Sequence, residues 1–136
     1  QTNDCIQLIG EFTSIRSISL VGGKAIQQDI KSVGGGGSGG AFGSKGSSHS
    51  VKGSMSISSN VHIISGTPGR VLDMIKRGAV SCRKIKMLIV DEADEMLSRG
   101  FKEQLYDIYK HLPAEVQVVL VSATLDKEVL ALTEQF

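Results

Sequence analysis

Two carboxylates that follow an apolar run in MLIVDEAD, residues 87 to 94, are well suited to chemistry. A buried strand ending in Asp91 would offer a rigidly held carboxylate to a Mg²⁺ ion on nucleotide phosphates, and Glu92 could orient or deprotonate an attacking water. The same residues also fit the start of an acid-rich helix, with Asp91 as its N-cap and Asp94 in its first turn. The pattern alone leaves both interpretations open.

The segment GTPGR, residues 66 to 70, predicts a helix start directly after a strand. Thr67 is suited to the N-cap and Pro68 to the first helical position, and the free N–H groups at such an end bind phosphate oxygens. Arg70 in the first turn is unfavourable for the helix dipole unless an anion is bound nearby. A well-capped helix without a ligand is the simpler alternative.

Two more polar segments follow predicted strands. The pair Gly22-Gly23 permits close approach of a backbone or a ligand, or forms only a tight turn. Ser122 and Thr124 could relay hydrogen bonds between Asp91 or Asp94 and neighbouring loops, or could be simple capping hydroxyls.

The elements that must position these residues alternate between strand and helix. Apolar spacing predicts helices at 5–12, 26–33, 67–78, 101–112 and from Asp126 onward, and strands at 15–21, 61–64, 87–90 and 116–121. The strand at 87–90 is apolar throughout and is expected to be covered on both faces. This order predicts an α/β fold with a parallel sheet and helices on both faces, in which the four polar segments share one edge.

Composition argues against several classes of function. A formal net charge of +1 gives no strong field toward nucleic acid or membrane. Cys5 and Cys82 form no disulfide framework or zinc pattern, and Cys5 is expected to be a small buried residue of a helix in a protein of a reducing compartment. No apolar run approaches membrane-spanning length, so no membrane partner is expected. His49, His62 and His111 are scattered, and His111 is expected near the negative end of a helix.

The stretch 34–59 contains nine Gly and nine Ser among its 26 residues. Such a composition predicts a disordered insertion. It matches G-x-G-x-x-G formally, but polar low-complexity sequence follows where a dinucleotide-binding site needs a helix. Because it connects a predicted helix to a predicted strand, it is expected at the edge opposite the polar segments. We therefore predict a single domain, 1–136, with a surface insertion at 34–59.

The four segments GG, TPGR, DEAD and SAT, each directly after a predicted strand and in this order, resemble the first RecA-like domain of DEAD-box RNA helicases. GTPGRVLDMIKRG and VQVVLVSATL are similar in particular to the eukaryotic initiation factor four A branch. The resemblance is dense from Val61 to Phe136, looser from Gln1 to Val33 and absent between Gly34 and Ser59. It implies a RecA-like fold of the P-loop NTPase type, incomplete at the N-terminus.

The resemblance also implies a role for each matching residue. Asp91 would hold Mg²⁺ through water, Glu92 would activate the hydrolytic water, and Asp91 and Asp94 would bind the ATP cofactor. Asp94 with Ser122 and Thr124 would couple hydrolysis to RNA handling. The backbone of single-stranded RNA would be contacted by the remaining matches, which are Gly22, Gly23, Thr67, Gly69 and Arg70.

Other parts of the family pattern are absent from the 136 residues. There is no G-x-x-x-x-G-K-[ST] phosphate loop, and the one Gly-Lys pair, Gly23-Lys24, precedes Ala25 where a hydroxyl is required. The resemblance implies a phosphate loop upstream of Gln1 and a second RecA-like domain after Phe136. The chain alone is therefore expected to fold marginally, and neither to hydrolyse ATP nor to unwind RNA.

The leading hypothesis is a fragment of an ATP-dependent RNA helicase of the cytoplasm or nucleus. It implies ATP and Mg²⁺ as cofactors, and single-stranded RNA, the second RecA-like domain and translation-initiation or exon-junction scaffold proteins as partners. One alternative is a non-catalytic, helicase-derived module that binds RNA or protein. Another is an unrelated ATPase that uses Asp91 and Glu92, for which TPGR and SAT would be coincidence.

Overall fold

Strands and helices alternate along the chain in the computed structural model, which describes residues 2–23 and 61–136. The strands are β1 (Ser17–Leu20), β2 (Ile63–Gly66), β3 (Met87–Val90) and β4 (Gln117–Leu120). The helices are α1 (Thr2–Ile9), α2 (Pro68–Lys76), α3 (Ala93–Ser98), α4 (Lys102–Lys110) and α5 (Lys127–Gln135). The predicted helix at 26–33 and the Gly/Ser insertion at 34–59 lie outside the described residues.

The strands form two parallel pairs, whereas the sequence predicted one sheet. β1 pairs with β2, from Ser17 opposite Ile63 to Leu20 opposite Gly66. β3 pairs with β4. Within the described ranges, no ladder of backbone hydrogen bonds joins one pair to the other. Within each pair the carboxyl ends lie side by side, so the loop after β1 neighbours that after β2, and the loop after β3 neighbours that after β4. Convergence of the polar segments is thus observed within each pair.

Two groups of buried side chains hold the helices against the strands. The first lies between the β1–β2 pair, α2 and α4 and includes Leu20 and Met74, both fully buried. The second lies between β3, α3, α4 and α5 and includes Val129 and Leu132, also fully buried. Burial of side chains of this size stabilises the fold by about 1.5–3 kcal/mol each. Leu88 of β3 packs against both groups, so β3 connects them.

One face of β3 is exposed, which corrects the prediction that both faces are covered. Val90 is 4% exposed, but Met87 is 48% and Ile89 59% exposed. Successive side chains of a strand point to opposite faces, so Leu88 and Val90 face the core and the other two face away from it. A run without polar residues carries no alternation from which this asymmetry could be predicted.

Both ends of α2 and the start of α5 follow local sequence rules. α2 begins with Pro68 and is followed by Gly78 at φ +71°, and the Asp126 carboxylate accepts hydrogen bonds from the N–H groups of Glu128 and Val129 at the start of α5. The short helix α3 matches the open alternative of an acid-rich helix start, although its length and its separation from α4 were not predicted. Cys5 was wrongly predicted to be buried: it is exposed, because α1 buries none of its residues. None of the helices in the described ranges is long and apolar enough to cross a membrane.

Candidate functional site

The carboxyl end of β3 presents Asp91 and Glu92, and both are exposed. The Glu92 N–H donates a hydrogen bond to Asp91 Oδ1 across 3.0 Å. α3 begins at Ala93 with Glu92 in the N-cap position, so the interpretation of Asp91 as the N-cap is wrong. Asp91 is instead the last residue before the turn, and its carboxylate is oriented by its own neighbour.

Glu92 has a left-handed backbone conformation, with φ 52° and ψ 49°. Among the described residues other than glycine, Glu92 alone has a positive φ. This conformation costs a residue with a side chain about 1–2 kcal/mol. Two hydrogen bonds flank it: Ala93 N–H donates to the Val121 carbonyl (3.0 Å) and Val121 N–H to that of Val90 (2.8 Å). The paired strands thus fix the turn that carries both acids.

Asp94 joins the loop after β3 to the loop after β4. The Thr124 hydroxyl donates to Asp94 Oδ2 across 2.9 Å, and the Asp94 N–H donates to Ser122 Oγ across 3.2 Å. The hydrogen bond from Thr124 is the main reason that the pKa of Asp94 is lowered from its ordinary value, with a smaller contribution from Ser122. The sequence left open whether the hydroxyls of Ser122 and Thr124 bond to Asp91 or Asp94, or only cap a helix. In the structure both hydroxyls form hydrogen bonds with Asp94.

The β1–β2 pair carries the other predicted site residues. Thr67 occupies the N-cap position of α2 in an extended conformation, but its side chain makes no capping hydrogen bond. Its N–H donates instead to the Leu20 carbonyl across 3.1 Å, which places the start of α2 beside the end of β1. Gly22 and Gly23 follow β1, with Gly23 at φ +89°. Arg70 lies in the first turn of α2 and is half-buried.

The glycines of this pair differ in their surroundings. A Cβ at Gly66 would lie 2.3 Å from the Leu20 carbonyl oxygen, so the packing of β2 on β1 requires glycine there. No atom of the described residues lies within 4 Å of the position that a Cβ would take at Gly22, Gly23 or Gly69. Backbone at these three positions is accessible to a ligand. Gly66, which was not among the predicted site residues, is therefore required by the strand packing, while the three predicted glycines leave backbone open for the predicted contacts.

Asn3 is a second residue that sequence reasoning missed. Its Oδ1 lies 3.3 Å from the Ser65 hydroxyl, which is also 3.3 Å from the Ile18 carbonyl oxygen. The hydroxyl has one proton and donates it to one of these acceptors at a time. The contact ties α1 to β2 immediately before the TPGR segment. Residues 62 positions apart give no pattern from which this contact could be predicted.

The acids at the end of β3 fit a Mg²⁺ ion held mainly by water and phosphate. Within the described ranges, no three His, Cys, Asp or Glu side chains are grouped closely enough to enclose a metal ion directly. Asp91 uses Oδ1 for the Glu92 N–H, which leaves Oδ2 for water. Mg²⁺ retains several waters and commonly binds one or two carboxylates together with substrate phosphates. A single exposed carboxylate suits such an ion and does not suit Zn²⁺ or Ca²⁺.

Comparison with known proteins places this arrangement in one family. The profile of the DEAD/DEAH box helicase family matches residues 1–132. Similar curated proteins include eukaryotic initiation factor 4A-3 of Nicotiana plumbaginifolia, 43% identical, and ATP-dependent RNA helicase FAL1 of Meyerozyma guilliermondii, 45% identical, each over the whole chain. The chain spans 29% and 28% of these two relatives, less than a third of their length.

Solved structures of the same family share the fold. A DEAD box protein from Methanococcus jannaschii is 29% identical with a TM-score of 0.71, over 98% of this chain and 32% of that one. A variant of Saccharomyces cerevisiae Dbp5, bound to Nup159, Gle1, IP6 and ADP, is 29% identical with a TM-score of 0.70, over 99% of this chain and 29% of that one. The predicted α/β, RecA-like fold class is confirmed. The chain belongs to the DEAD/DEAH box helicase family.

Proposed function

We propose that this chain is part of an ATP-dependent RNA helicase, in which it contributes the hydrolytic acids and part of the RNA-binding surface. The observation that carries the proposal is the contact of Asp94 with Ser122 and Thr124 directly beside Asp91 and Glu92. This contact connects candidate hydrolytic residues to a second loop, as coupling of ATP turnover to RNA handling requires. The similarity of the chain to ATP-dependent RNA helicase FAL1 supports it.

Asp91 and Glu92 have separate roles in the proposed hydrolysis. Asp91 holds Mg²⁺ through water, and the bound ion supplies neutralising charge on the nucleotide phosphates. Glu92 accepts the proton of the attacking water, since its carboxylate is exposed at the end of a fixed turn. Asp94, whose pKa is lowered chiefly by the Thr124 hydroxyl, stays ionised and can face the nucleotide side of the site.

Single-stranded RNA is the proposed polymer ligand of the β1–β2 pair. Gly22, Gly23 and Gly69 leave backbone open to a sugar-phosphate chain, and Thr67 and Arg70 stand at the N-terminal turn of α2, where N–H groups favour anions. Contacts of this kind read no base sequence. Binding should therefore depend on ionic strength and hardly on the choice of bases.

The remaining parts of the helicase are proposed to lie in the rest of the protein. The 136 residues contain no phosphate-loop sequence, so the chain alone should not hydrolyse ATP or unwind RNA. A second RecA-like domain would complete the site. The protein is proposed to work in the cytoplasm or nucleus, with translation-initiation or exon-junction scaffold proteins as candidate partners.

RNA-stimulated release of phosphate from ATP by the full-length protein tests the proposal. Glu92→Gln removes the proposed base with little change in size and should lower turnover at least about a hundredfold. Glu95→Gln is the matched control, because Glu95 is an exposed acid of α3 that pairs with Arg99 rather than with the loop after β4. It should change turnover less than about twofold.

Three results would contradict the proposal. Equal turnover in the Glu92→Gln variant and the unaltered protein would remove Glu92 from the hydrolytic step. RNA binding without any ATP turnover by the unaltered full-length protein would support the alternative of a non-catalytic binding module. Turnover by the isolated 136-residue chain, above that of its own Glu92→Gln variant, would show that the chain needs no further domain.

A further inference from the structure

A groove opens at the amino end of β3, away from the loops described above. Its volume is about 490 Å³, and it lies between the end of α2, the connection from α2 to β3 and the end of α4. Lys86 precedes β3 and Asp91 follows it, so five residues of extended chain separate the two ends by about 16 Å. The groove is thus distinct from the candidate hydrolytic site.

The floor of the groove is apolar and uncharged. It consists of Ile75, Val80, Cys82, Leu112 and Pro113. The first three are at most 9% exposed, and burial raises the pKa of the Cys82 thiol, which keeps it neutral. A floor of this kind offers an aliphatic side chain a place out of water.

The rim of the groove is basic. Residues 74–90 contain five basic residues and no acidic one. Two of the five are already paired, Lys76 with Asp107 at 3.5 Å and Arg77 with Asp73 at 2.8 Å. The other three, Arg83, Lys84 and Lys86, take part in none of the ion pairs formed between described residues. Of these three exposed cations Arg83 lines the groove, Lys84 and Lys86 follow it closely in sequence, and none has a negative partner among the described residues.

His111 adds a polar group to the lining. Its Nδ1 lies 2.7 Å from the Asp107 carbonyl oxygen. A carbonyl oxygen can only accept, so Nδ1 carries a proton and Nε2 is the ring nitrogen left for a ligand. The hydroxyl of Ser81 also lines the groove. Hydrogen-bonding groups therefore border the floor on the side of α4 as well as on the side of the basic rim.

We propose that this groove binds an acidic peptide segment of a partner protein, with one aliphatic side chain on the floor and carboxylates against Arg83, Lys84 and Lys86. The charges are complementary, and the apolar floor selects a peptide over RNA. No Phe, Tyr or Trp of the described residues lines the groove, so among these residues the His111 imidazole is the one ring there on which a base could stack. The inference does not depend on the proposed helicase activity.

Fluorescence anisotropy of the full-length protein with a labelled twelve-residue peptide, containing six acidic residues around a central leucine, tests the proposal. We expect binding that weakens about tenfold in an Arg83→Glu/Lys84→Glu variant, since each reversal removes one ion pair and adds a repulsion. A Lys127→Glu variant is the matched control, because Lys127 begins α5 after the carboxyl end of β4. It should bind as the unaltered protein does.

A second peptide and a second measurement address the floor. Replacing the central leucine of the peptide by serine should weaken binding about tenfold. The bound peptide should also slow alkylation of Cys82 at least about threefold without slowing that of Cys5, which is exposed on α1. Modification at each cysteine is quantified by mass spectrometry of proteolytic fragments. Cys5 therefore serves as an internal control for Cys82 in the same sample.

Three results would overturn the proposal. One is the absence of peptide binding. Another is binding that the Arg83→Glu/Lys84→Glu change and the leucine-to-serine change both leave unaltered. The third is tighter binding of a twelve-nucleotide uridine RNA than of the peptide, weakened by the same charge reversal, which would assign the basic rim to RNA.

Discussion

Thr124 and Asp94 are thirty residues apart in sequence and joined by a 2.9 Å hydrogen bond between hydroxyl and carboxylate. This contact crosses from the loop after β4 to the first turn of α3. The pairing of Val90 with Leu120 brings the two loops together, so the hydrogen bond depends on the strand register as well as on the two side chains.

Loss of the Thr124 hydroxyl should raise the pKa of Asp94 toward its ordinary value. We expect this in a Thr124→Val variant and not in Thr124→Ser, which retains the donor. An NMR titration of the Asp94 carboxyl carbon measures the shift directly. An unchanged titration in Thr124→Val would mean that other groups hold the carboxylate in its ionised form.

The same contact predicts how stability depends on pH. A lowered pKa in the folded state means that the ionised carboxylate stabilises the fold above the pKa of the unfolded chain. That contribution is lost as pH falls through the lower, folded-state pKa. The difference in denaturation midpoint between the unaltered protein and Thr124→Val should therefore be present at neutral pH and disappear in acid. A difference that persists below both pKa values would indicate a packing effect instead.

Glycine at position 92 should be tolerated by the fold and should abolish hydrolysis. Glu92→Gly relieves a left-handed conformation that costs about 1–2 kcal/mol, partly offset by the greater chain entropy of glycine when unfolded, so we expect a gain of about 0–1 kcal/mol in unfolding free energy. Glu95→Gly, inside α3, should instead lose about 1 kcal/mol. Urea denaturation measures the unfolding free energy of both variants. A larger loss in Glu92→Gly than in Glu95→Gly would contradict the prediction.

Two glycines of the β1–β2 pair should respond oppositely to alanine. Gly66→Ala places a Cβ 2.3 Å from the Leu20 carbonyl oxygen and should cost about 3 kcal/mol of unfolding free energy. Gly69→Ala lies in a helical turn, where its Cβ would meet no atom of the described residues within 4 Å, and should gain about 0.5 kcal/mol.

RNA binding separates structural from ligand-binding effects at Gly69. If the open backbone there contacts RNA, Gly69→Ala should weaken binding of a uridine oligonucleotide by about fivefold or more while leaving the fold more stable. Anisotropy in the presence of a non-hydrolysable ATP analogue measures this in the full-length protein. Unchanged affinity would exclude Gly69 from the RNA contact.

The last helix should depend on one tyrosine hydroxyl. Tyr109 donates a hydrogen bond to the Phe136 carbonyl across 2.9 Å, and the two rings lie 4.7 Å apart. Tyr109→Phe keeps the ring and should cost about 1 kcal/mol of unfolding free energy. Tyr106→Phe is the control, because Tyr106 is 39% exposed and its ring, which lies under Lys110, is retained. Equal effects at both positions would argue against the hydrogen bond.

Sequence patterns were sufficient for the four strands and for the helices α1, α2, α4 and α5, whereas α3 was one of two open alternatives and the helix at 26–33 stays a prediction. Proline at the start of α2, the Asp126 cap and the four strands all follow from local rules that act over a few residues. The pairing of the strands could not be predicted in this way. Backbone hydrogen bonds decide which strands are neighbours, and the side chains of a strand such as β3 (MLIV) do not specify these bonds. The left-handed Glu92 is likewise a product of the surrounding ladder rather than of its residue type.

The residues of the site also divide into those that the local sequence indicates and those that only the fold reveals. Asp91, Glu92, Asp94, Ser122 and Thr124 were selected from sequence, and the structure brings the last three together. Asn3 and Gly66 were missed, since one acts through a contact 62 residues away and the other through a packing restriction visible only in the fold. Roles in hydrolysis and RNA binding rest on the experiments above.

The two ends of β3 carry opposite charges, which the formal net charge of +1 conceals. Arg83, Lys84 and Lys86 precede the strand, and Asp91, Glu92 and Asp94 follow it. Such a molecule should adsorb to both cation- and anion-exchange resins near neutral pH. In dilute buffer its copies should attract one another end to end, and ordinary salt should suppress that attraction within a screening length of about 8 Å.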